Sequence, residues 1–468
     1  MTKIKNFFLT TTIYYINDVP HIGHAYTTIA ADILARFHRL LGEKTFFLTG
    51  LDENSQKTVL AAEKSGQDLR TYTDDLAKIW ETTWKKLGIT NDDFIRTTQV
   101  RHKKVVTDFF QKVLDNGDVY KSKYEGLYCV GHEAFLKESD LDENGFCPDH
   151  KTKPEQIAEE NYFFRLSKYQ EQLLKFYKEN PDFVLPHQRF NEVVKFVESG
   201  LQDISVTRAS QKWGIPAPND PKQVIYVWFD ALINYLSAEP PLWPADLHLI
   251  GKDITRFHAV IWPAMLLSAG YPLPKQIFAH GFFTVDGTKI SKSLGNAIDP
   301  VKISQDYGND SLRYFLFHEF PFGNDGDFSF DRLKEVYNSD LANGLGNLVS
   351  RVARLAENLS LPGVEFPEKP LLDSAFRIHL ENLEFLEALE YVWGKIRKTD
   401  KEIEKSKPWE LAKENPEKAK AAVENLIRQI VEIDELLLCF LPETAEKIKD
   451  QFSQDKIKSS APLFPRRG

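Results

Sequence analysis

His21 and His24 place two imidazole groups three positions apart, with Gly23 between them. A β-branched and aromatic run over residues 7–16 predicts a strand before them, and apolar residues recur at helical spacing over residues 30–41. The histidines therefore belong to the turn from a strand into a helix N-terminus, whose unpaired N–H groups and partial positive charge suit a phosphate. Gly23 has no side chain to hinder a ligand. The alternative interpretation is a polar turn in which the histidines have no special role.

A second segment with phosphate-binding side chains follows the apolar strand predicted over residues 282–285. It contains Lys289, Ile290, Ser291 and Lys292. Lysines and serines on a loop can hold nucleotide phosphates as charge rises in a transition state. Taken alone, such a run is more often a solvated basic loop. Its interpretation therefore depends on the histidine segment and on the α/β pattern between the two.

The composition is that of a soluble globular protein with more than one domain. The chain has 468 residues, of which 42% are hydrophobic and 27% charged, and this length exceeds what one core can organise. It contains no apolar run of about 18 residues, the length that a membrane span needs. Three cysteines and an early first strand, which leaves no room for a leader, indicate a reducing, cytoplasmic location. The net charge of −9 argues against bulk attraction to nucleic acid but allows a local basic groove.

Five segments differ in their pattern of apolar residues, glycines and prolines. Alternating strands and helices over residues 1–115 and 223–275 predict the two halves of a doubly wound parallel sheet. Between them, glycines divide residues 116–222 into short pieces, which predicts an insertion. Residues 276–335 hold the lysine segment and link the sheet to residues 336–468, where leucines at helical spacing predict an all-α bundle.

Two Cys-x-x-His pairs lie in the insertion, Cys129 with His132 and Cys147 with His150. Each pair could supply one thiolate and one imidazole to a tetrahedral zinc ion, and the interval between the pairs suits a knuckle loop. The alternative is two incidental buried cysteines with surface histidines. The matched spacing of two of the three cysteines favours zinc.

Together, the histidine and lysine segments resemble the two signature motifs of class I aminoacyl-tRNA synthetases, and residues 8–464 resemble the methionyl-tRNA synthetase family within that class. The resemblance implies a Rossmann-type sheet split by a connective insertion with a zinc knuckle, followed by an anticodon-binding helical bundle. It implies a ligase that activates methionine with ATP to methionyl-adenylate and transfers it to the 3′ end of tRNA(Met), releasing AMP and pyrophosphate. Mg²⁺, one structural Zn²⁺ and a monomeric state are expected as well.

The resemblance also assigns the groups that act on ATP. Their task is to orient two anions that repel each other and to neutralise a crowded phosphorane, which requires cationic and N–H donors. The residues implied in catalysis are His21, His24, Arg208, Lys252, Asp253, Lys289 and Lys292. The residues implied in ATP binding are His21, Gly23, His24, His280, Gly281, Lys289, Ile290, Ser291 and Lys292.

A pocket rich in aromatic side chains is implied for methionine, because sulfur makes favourable contacts with aromatic rings. Asp52, at the end of the second predicted strand, is the expected partner of the substrate ammonium. Tyr15 and His258 are expected to offer weak hydrogen bonds to the sulfur. The implied residues are Ile13, Tyr15, Asp52, Trp228, Ala231, Leu232, Tyr235, Phe257, His258 and Trp262. Without the flanking motifs, these aromatic residues would be assigned to the core.

One stretch departs from the family pattern. The family usually has Asp-Glu-His-Gly after its second strand, whereas this chain has Asp52, Glu53, Asn54 and Ser55. Ammonium binding by Asp52 is unaffected. The task of the His-Gly pair must be done differently in this chain, or not at all.

The helical region is implied to read the CAU anticodon through Asn347, Arg351 and Trp409. Asn347 and Arg351 are four positions apart, so they share a helix face, beside the leucine-rich one. Asn and Arg can hydrogen-bond unpaired base edges, and Trp can stack on a splayed base. The alternative is a solvated face and a buried Trp.

Three other functions fit parts of the sequence. Class I synthetases for Leu, Ile or Val usually need a large editing domain, since one methylene gives only about 1–3 kcal/mol of discrimination. A synthetase for Cys would hold its substrate on zinc inside the catalytic pocket, and no cysteine lies near Asp52 in the sequence. A small-molecule nucleotidyltransferase would not need the helical region. A tRNA-binding protein that has lost its chemistry stays open because of Asn54 and Ser55.

Overall fold

Strands and helices alternate at the start of the chain, as the sequence predicts. The computed structural model describes residues 5–129, 134–136, 138–149, 151–240, 242–285, 287–289 and 297–468. The elements of the first part are β1 (Asn6–Tyr15), α1 (Ile22–Leu40), β2 (Lys44–Asp52), α2 (Gln56–Ser65), α3 (Leu69–Lys86), β3 (Asp93–Arg96) and α4 (Val100–Asp115).

Short strands and two helices make up the next part of the chain. They are β4 (Val119–Cys129), β5 (Ala134–Leu136), β6 (Glu155–Phe164), α5 (Gln170–Glu179), β7 (Val184–Leu185), α6 (His187–Glu198), β8 (Ile204–Ser205), β9 (Thr207–Arg208), β10 (Pro216–Ala217) and β11 (Asp220–Ile225). Two small sheets form here, in the orders β5-β4-β6-β8 and β10-β11-β9. The predicted insertion thus contains its own antiparallel β-structure.

The chain then returns to the central sheet through α7 (Val227–Leu232), β12 (Leu247–Gly251), α8 (Trp262–Ala269) and β13 (Ile277–His280). The six strands of that sheet are all parallel and lie in the order β3-β2-β1-β12-β13-β7. The chain runs from β1 to β2 on one side and from β12 to β13 on the other, so the strand order reverses between β1 and β12 and their carboxyl ends form the switch point of the sheet. Ligands of open α/β sheets bind at that edge. The two-residue strand β7 comes from within the predicted insertion, and a strand that short carries no periodic signal.

A linking region follows the sheet and leads into helices. Its elements are β14 (Phe283–Val285), β15 (Thr288–Lys289), α9 (Pro300–Tyr307), α10 (Asn309–His318), β16 (Gly326–Phe328) and α11 (Phe330–Val336). The helical region consists of a π-helical turn (Tyr337–Gly346), α12 (Asn347–Asn358), α13 (Ser374–Glu381), α14 (Phe385–Ser406), α15 (Pro408–Glu414), α16 (Pro416–Phe440) and α17 (Pro442–Phe452). Its amphipathic helices bury their apolar faces in a core that also contains residues of β1 and α1.

A buried ion pair joins α1 to this helical region. Arg313 of α10 contacts Asp32 of α1 at 2.8 Å and donates hydrogen bonds to the backbone carbonyls of Phe440 at 2.7 Å and Cys439 at 3.1 Å. Arg36 contacts Asp32 at 2.7 Å. Burial opposes ionisation of Asp32, but the two arginines more than offset it and hold the pKa of that carboxyl below its usual value. The helix that His21 caps is therefore fixed to the C-terminal helices near its middle, at Asp32.

Candidate active site

The start of α1 is closed by a pair of reciprocal caps that the two histidines make. His21 accepts a hydrogen bond from the backbone N–H of Gly23 at Nδ1 (3.1 Å), and His24 accepts one from the backbone N–H of His21 (3.2 Å). The two rings stack with their centroids 3.7 Å apart. A Cβ on residue 23 would lie 3.0 Å from the His21 ring, so the cap needs Gly23. Because Nδ1 of each ring accepts, the proton of each neutral ring is on Nε2, where it can donate to a phosphate oxygen.

An aromatic support beneath His24 was not assigned from the sequence. The His24 ring lies 4.8 Å from the Trp80 ring and 5.0 Å from the Tyr14 ring. The indole N–H of Trp80 donates to the carbonyl of Asp18 at 2.9 Å, which fixes the turn before His21. The Trp80/Trp84 pair is visible in the sequence, but its position under the histidines depends on the packing of α3 against α1.

The segment after the lysine loop lies against the start of α1. The backbone N–H of Ile22 donates to the carbonyl of Ile298 at 2.9 Å. An open cleft of about 280 Å³ lies between the two segments, lined by Asp18, Val19, Pro20, His21, Ala297, Ile298 and Asp299. Lys289 ends β15, which pairs with β14. Ile290, Ser291 and Lys292 lie outside the described residues, so their predicted role in ATP binding stays a prediction.

His280 holds the end of β13 against α1. Its Nδ1–H donates to the carbonyl of Gly281 at 2.7 Å, and its Nε2 accepts from the hydroxyl of Thr27 at 2.7 Å. Burial lowers the pKa of His280 to about 4, so the ring is neutral. A Cβ on residue 281 would lie 2.0 Å from the carbonyl oxygen of Asn324, so only glycine fits at Gly281. The predicted approach to adenosine therefore falls to the backbone of this turn, since both ring nitrogens are engaged.

Lys252 follows β12 at the same edge of the sheet. Its ammonium contacts the two carboxylate oxygens of Asp325 at 2.7 and 2.5 Å. Asp325 also accepts from the backbone N–H of Phe282 at 2.8 Å, at the start of the hairpin that leads to the lysine loop. Partial burial opposes ionisation of Asp325, but these donors lower its pKa overall. The side chain of Asp253 lies close to the backbone of Gly251, because a Cβ on residue 251 would lie 2.8 Å from its Oδ1.

Arg208 lies in β9 of the insertion and is buried. Its Nη1 donates to the Ser205 hydroxyl at 2.8 Å and to the carbonyl of Thr207 at 2.9 Å. Its guanidinium lies 4.3 Å from the centroid of the Tyr226 ring. Tyr226 immediately precedes α7, so Arg208 borders the methionine pocket through this ring. A contact of Arg208 with ATP stays a prediction.

Strand pairing brings together two residues of the predicted methionine pocket. Tyr15 and Asp52 are register partners at the ends of β1 and β2. The Tyr15 ring meets the Trp228 ring edge-on at 6.3 Å, and Trp228 stacks on Phe257 at 3.7 Å. Lys57, which the sequence did not suggest, lies 4.6 Å over the Tyr15 ring.

The deep wall of the pocket is a hydrogen-bonded aromatic pair. The hydroxyl of Tyr235 donates to Nε2 of His258 at 2.7 Å, and Nδ1–H of His258 donates to the carbonyl of Ile254 at 3.1 Å. Burial lowers the pKa of His258 to about 4 and raises that of Tyr235. Both ring nitrogens of His258 are thus engaged, so aromatic surface is the main partner available to a thioether. The remaining predicted residues border this wall or the core behind it: Ile13, Ala231, Leu232 and Trp262.

The departure at Asn54 and Ser55 has a clear structural outcome. Ser55 caps α2, because its hydroxyl accepts from the backbone N–H of Thr58 at 3.1 Å. The side-chain amide of Asn54 donates to Asp230 of α7 at 2.6 Å, and Asp230 in turn contacts His102 at 2.6 Å. Sequence analysis missed Asp230 and His102. In the sequence, each of them is a single ionisable residue with no motif around it, and such a residue seldom indicates a site.

The predicted zinc knuckle is described only in part. Cys129 ends β4 and is buried, as is Cys147. His132 and His150 lie outside the described residues. Within the described ranges, no group of three or more His, Cys, Asp or Glu side chains could hold a metal ion. The zinc assignment therefore stays a prediction.

The predicted anticodon residues lie on the surface of the helical region. Asn347 and Arg351 are on α12, where Arg351 contacts Asp400 at 2.7 Å and Glu404, both on α14. Trp409 begins α15 and is 38% exposed, so the alternative of a buried Trp is wrong. Glu404 and Trp409 are close in the chain, on either side of the turn between α14 and α15.

Comparison with known proteins first defines the class. The family model described as tRNA synthetases class I (M) matches residues 7–154 and 143–353. These ranges contain the parallel sheet, the histidine caps, the insertion and the lysine segment. The fold is that of a class I aminoacyl-tRNA synthetase.

Similar proteins narrow the class to one family. The methionine–tRNA ligase of Thermotoga maritima is 48% identical over 98% of this chain and 77% of its own length, and that of Rickettsia conorii is 45% identical over 97% and 94%. Mycobacterium tuberculosis methionyl-tRNA synthetase in complex with methionyl-adenylate superposes with a TM-score of 0.90 at 37% identity, covering 99% of each chain. This chain belongs to the methionine–tRNA ligase family. No helix in the described ranges is long and apolar enough to cross a membrane.

Proposed function

We propose that this chain activates methionine with ATP, forming methionyl-adenylate and pyrophosphate, and then transfers the methionyl group to the 3′ end of tRNA(Met), releasing AMP. The observation that carries the proposal is that the residues assigned to methionine and the residues assigned to ATP lie at one edge of the sheet. Tyr15 and Asp52 end adjacent strands, and the capped start of α1 at His21 follows Tyr15 by a short turn. The similar Mycobacterium tuberculosis protein is in complex with methionyl-adenylate, which is the product expected at such an edge.

In the first step, the methionine carboxylate attacks the α-phosphate of ATP. Asp52 receives the substrate ammonium and thereby orients the carboxylate towards the start of α1. The Nε2–H groups of His21 and His24 donate to the triphosphate, and the α1 N-terminus adds its partial positive charge. Lys289 and Lys292 neutralise the charge that develops as pyrophosphate leaves. Mg²⁺, when bound with ATP, would supply further charge neutralisation on the phosphates.

Selection of methionine rests on shape and aromatic contact. Trp228 and Phe257 stack with an interplanar angle of 11°, which presents a flat apolar wall to an unbranched side chain. Tyr235 and His258 are hydrogen-bonded to each other through polar atoms at the edges of their rings. The faces of the two rings are therefore the surface that this wall offers to sulfur. A branched aliphatic side chain of similar volume would lack these sulfur contacts, and its branch would clash with the flat wall.

The helical region and the insertion complete the proposal. Asn347, Arg351 and Trp409 would contact the anticodon, supported by the exposure of Trp409 and by the shared helix face of the other two. Cys129 and Cys147, both buried thiols, would bind one structural Zn²⁺ together with His132 and His150. We further propose a monomer that acts in the cytoplasm, and the five segments of the sequence analysis as its domain limits.

The test is ATP–pyrophosphate exchange with each of the twenty amino acids in turn, without tRNA. The proposal predicts exchange with methionine alone. Exchange with leucine, isoleucine, valine or cysteine would keep the class and overturn the assigned pocket. Absence of exchange with every amino acid, in a sample that binds tRNA(Met), would identify a tRNA-binding protein without the first chemical step.

A further inference from the structure

We propose that the buried hydrogen-bonded chain from Asn54 through Asp230 to His102 positions the two sides of the methionine pocket, Asp52 and Trp228, relative to each other. The three members are positioning residues, because they act on the pocket through Asp52 and through the helix that carries Trp228. The inference rests on the proposed function and adds a determinant of methionine affinity to it. It also explains what Asn54 does at the point where this chain departs from the family pattern.

The first link joins Asp52 to Asn54. The backbone N–H of Asn54 donates to Oδ1 of Asp52 at 3.0 Å, so the carboxylate that receives the ammonium is held by the residue two positions later. The side chain of Asn54 continues in the other direction, with its amide bonded to Asp230 at 2.6 Å and to the carbonyl of Thr97 at 3.4 Å. Asn54 thus connects the end of β2 with α7, an element far away in sequence.

The second link fixes Asp230. Its two carboxylate oxygens are bonded separately, Oδ2 by Asn54 and Oδ1 by Nε2 of His102 at 2.6 Å. Nδ1 of His102 lies 2.9 Å from the hydroxyl of Ser237, so both ring nitrogens have partners. Asp230 and His102 have no exposed surface, and Asn54 is 4% exposed. A buried carboxylate that loses one of its donors must move or draw in water, because its desolvation is no longer offset.

The position of Asp230 on α7 converts any such movement into a change of the pocket. The helix has only six residues, Val227–Leu232, with Trp228 on one side of Asp230 and Ala231 on the other. Trp228 stacks on Phe257 at 3.7 Å and meets Tyr15 edge-on. The groups assigned to ATP lie on other elements, above all His21 and His24 at the start of α1. Loss of the chain should therefore weaken methionine binding and leave ATP binding nearly unchanged.

The experiment compares Asn54→Leu with Ser55→Ala in ATP–pyrophosphate exchange. Leu has the branched shape of Asn but cannot donate to Asp230, whereas Ser55 caps α2 from the same loop and contacts neither Asp230 nor Asp52 in the described structure. We expect the methionine KM of Asn54→Leu to rise about tenfold, with the ATP KM and kcat changed less than about threefold. Ser55→Ala should change none of the three values by more than about twofold. Methionine titration followed by tryptophan fluorescence, to which Trp228 contributes as one of eight tryptophans, should show the same tenfold loss.

Several results would overturn the positioning role. They are an unchanged methionine KM in a folded Asn54→Leu protein, an equal rise in the ATP KM, or an equal effect of Ser55→Ala. If Asn54→Leu does not fold, Ser237→Ala removes the last link together with a hydrogen bond to the carbonyl of Ile233. It should raise the methionine KM about threefold, and no rise would count against the chain. The proposed function is tested separately by methionine-dependent exchange of the unaltered protein, so the two failures are distinguishable.

Discussion

The proposed methionine pocket and the proposed anticodon surface use polar side chains in opposite ways. Behind the pocket, Asp230 and His102 are fully buried and bonded to each other. On the helical surface, Arg351 contacts Asp400 and Glu404 in partly exposed pairs, and Trp409 faces solvent. Buried pairs are costly to break, whereas exposed pairs contribute about 0–1 kcal/mol. If the assignments hold, methionine would bind to a pocket that is set in advance, and the RNA would bind to side chains that can exchange partners at little cost.

Two buried carboxyl groups show the same contrast inside the protein. Asp230 has a donor on each oxygen. Asp434, on α16, is 3% exposed, and its Oδ1 has no hydrogen-bond partner among the described residues. Burial raises the pKa of Asp434 to about 8, against the weaker opposing influence of Lys449. The helical region thus tolerates an imperfect interior at Asp434, whereas both carboxylate oxygens of Asp230 have partners.

The largest effect is expected from Lys292→Ala, which leaves the preset pocket intact and removes charge from the lysine loop. Adenylate formation should fall about a thousandfold, because Lys292 acts on charge that develops in the transition state. Methionine affinity, measured by tryptophan fluorescence, should stay within about twofold. Lys302→Ala, an exposed lysine on α9, is the matched control and should leave the rate of exchange unchanged. An equal loss of methionine binding in Lys292→Ala would remove the transition-state role.

Asp434→Asn tests the imperfect interior of the helical region. The folded protein binds this proton up to about pH 8, whereas the unfolded chain releases it near 3.8, so ionisation makes Asp434 destabilising as the pH rises between these values. The variant should raise the free energy of unfolding at pH 8, and the gain should shrink by about 1.4 kcal/mol for each unit of pH towards pH 5. Urea unfolding at both pH values measures it. A gain that does not depend on pH would show that Asp434 is not the titrating group.

Acidification should lower the free energy of unfolding through two histidines at the parallel sheet, whereas it relieves the destabilisation caused by Asp434. His258 and His280 have pKa values of about 4 in the folded protein, below the ordinary 6.5, so the unfolded chain binds more protons between these values. Their contribution is present above pH 6.5 and is lost as the pH falls towards 4, by about 2 kcal/mol for each group at pH 5. In His280→Asn, the loss of unfolding free energy between pH 7 and pH 5 should be about 2 kcal/mol smaller. The same pH slope in variant and unaltered protein would contradict this origin.

Trp409→Ala sharpens the comparison at the anticodon surface. Loss of one base stack should lower kcat/KM for tRNA(Met) charging about tenfold, because stacking contributes about 1–3 kcal/mol per base. ATP–pyrophosphate exchange should not change. Phe330→Ala, which removes another exposed ring on α11, serves as the control. If exchange falls as much as charging, Trp409 acts through the fold and not through the RNA.

The smallest effect is expected from Asp400→Ala, which frees Arg351 from one of its exposed carboxylate partners. The KM for tRNA(Met) should fall about twofold, in keeping with the small energy of exposed pairs and the removal of a negative charge from the surface. Titration of charging rate against tRNA concentration at low salt measures it. A rise in KM would show that Asp400 orients Arg351 for the RNA and does not compete with it.

Local chemistry was predictable from the sequence, and long-range pairing was not. The strand, turn and helix around His21 follow from residues close together in the chain, and the structure confirms a helix that begins beside it. The resemblance implied Lys252 in catalysis, but its partner Asp325 lies on a distant loop with no motif of its own. The Asn54–Asp230 contact joins residues 176 positions apart. Such pairs arise from how the elements pack, and no local sequence pattern predicts them.

The buried contacts of Arg313 also bear on how the newly made chain folds. Its partner Asp32 leaves the ribosome early, but the two carbonyls that satisfy it belong to Cys439 and Phe440, near the end of the chain. Until those residues emerge, Arg313 lacks the partners that make its burial favourable. The side of the sheet that carries α1 should therefore finish packing only after residues 439 and 440 have emerged, and a nascent chain stalled at residue 400 should remain sensitive to proteases near α10.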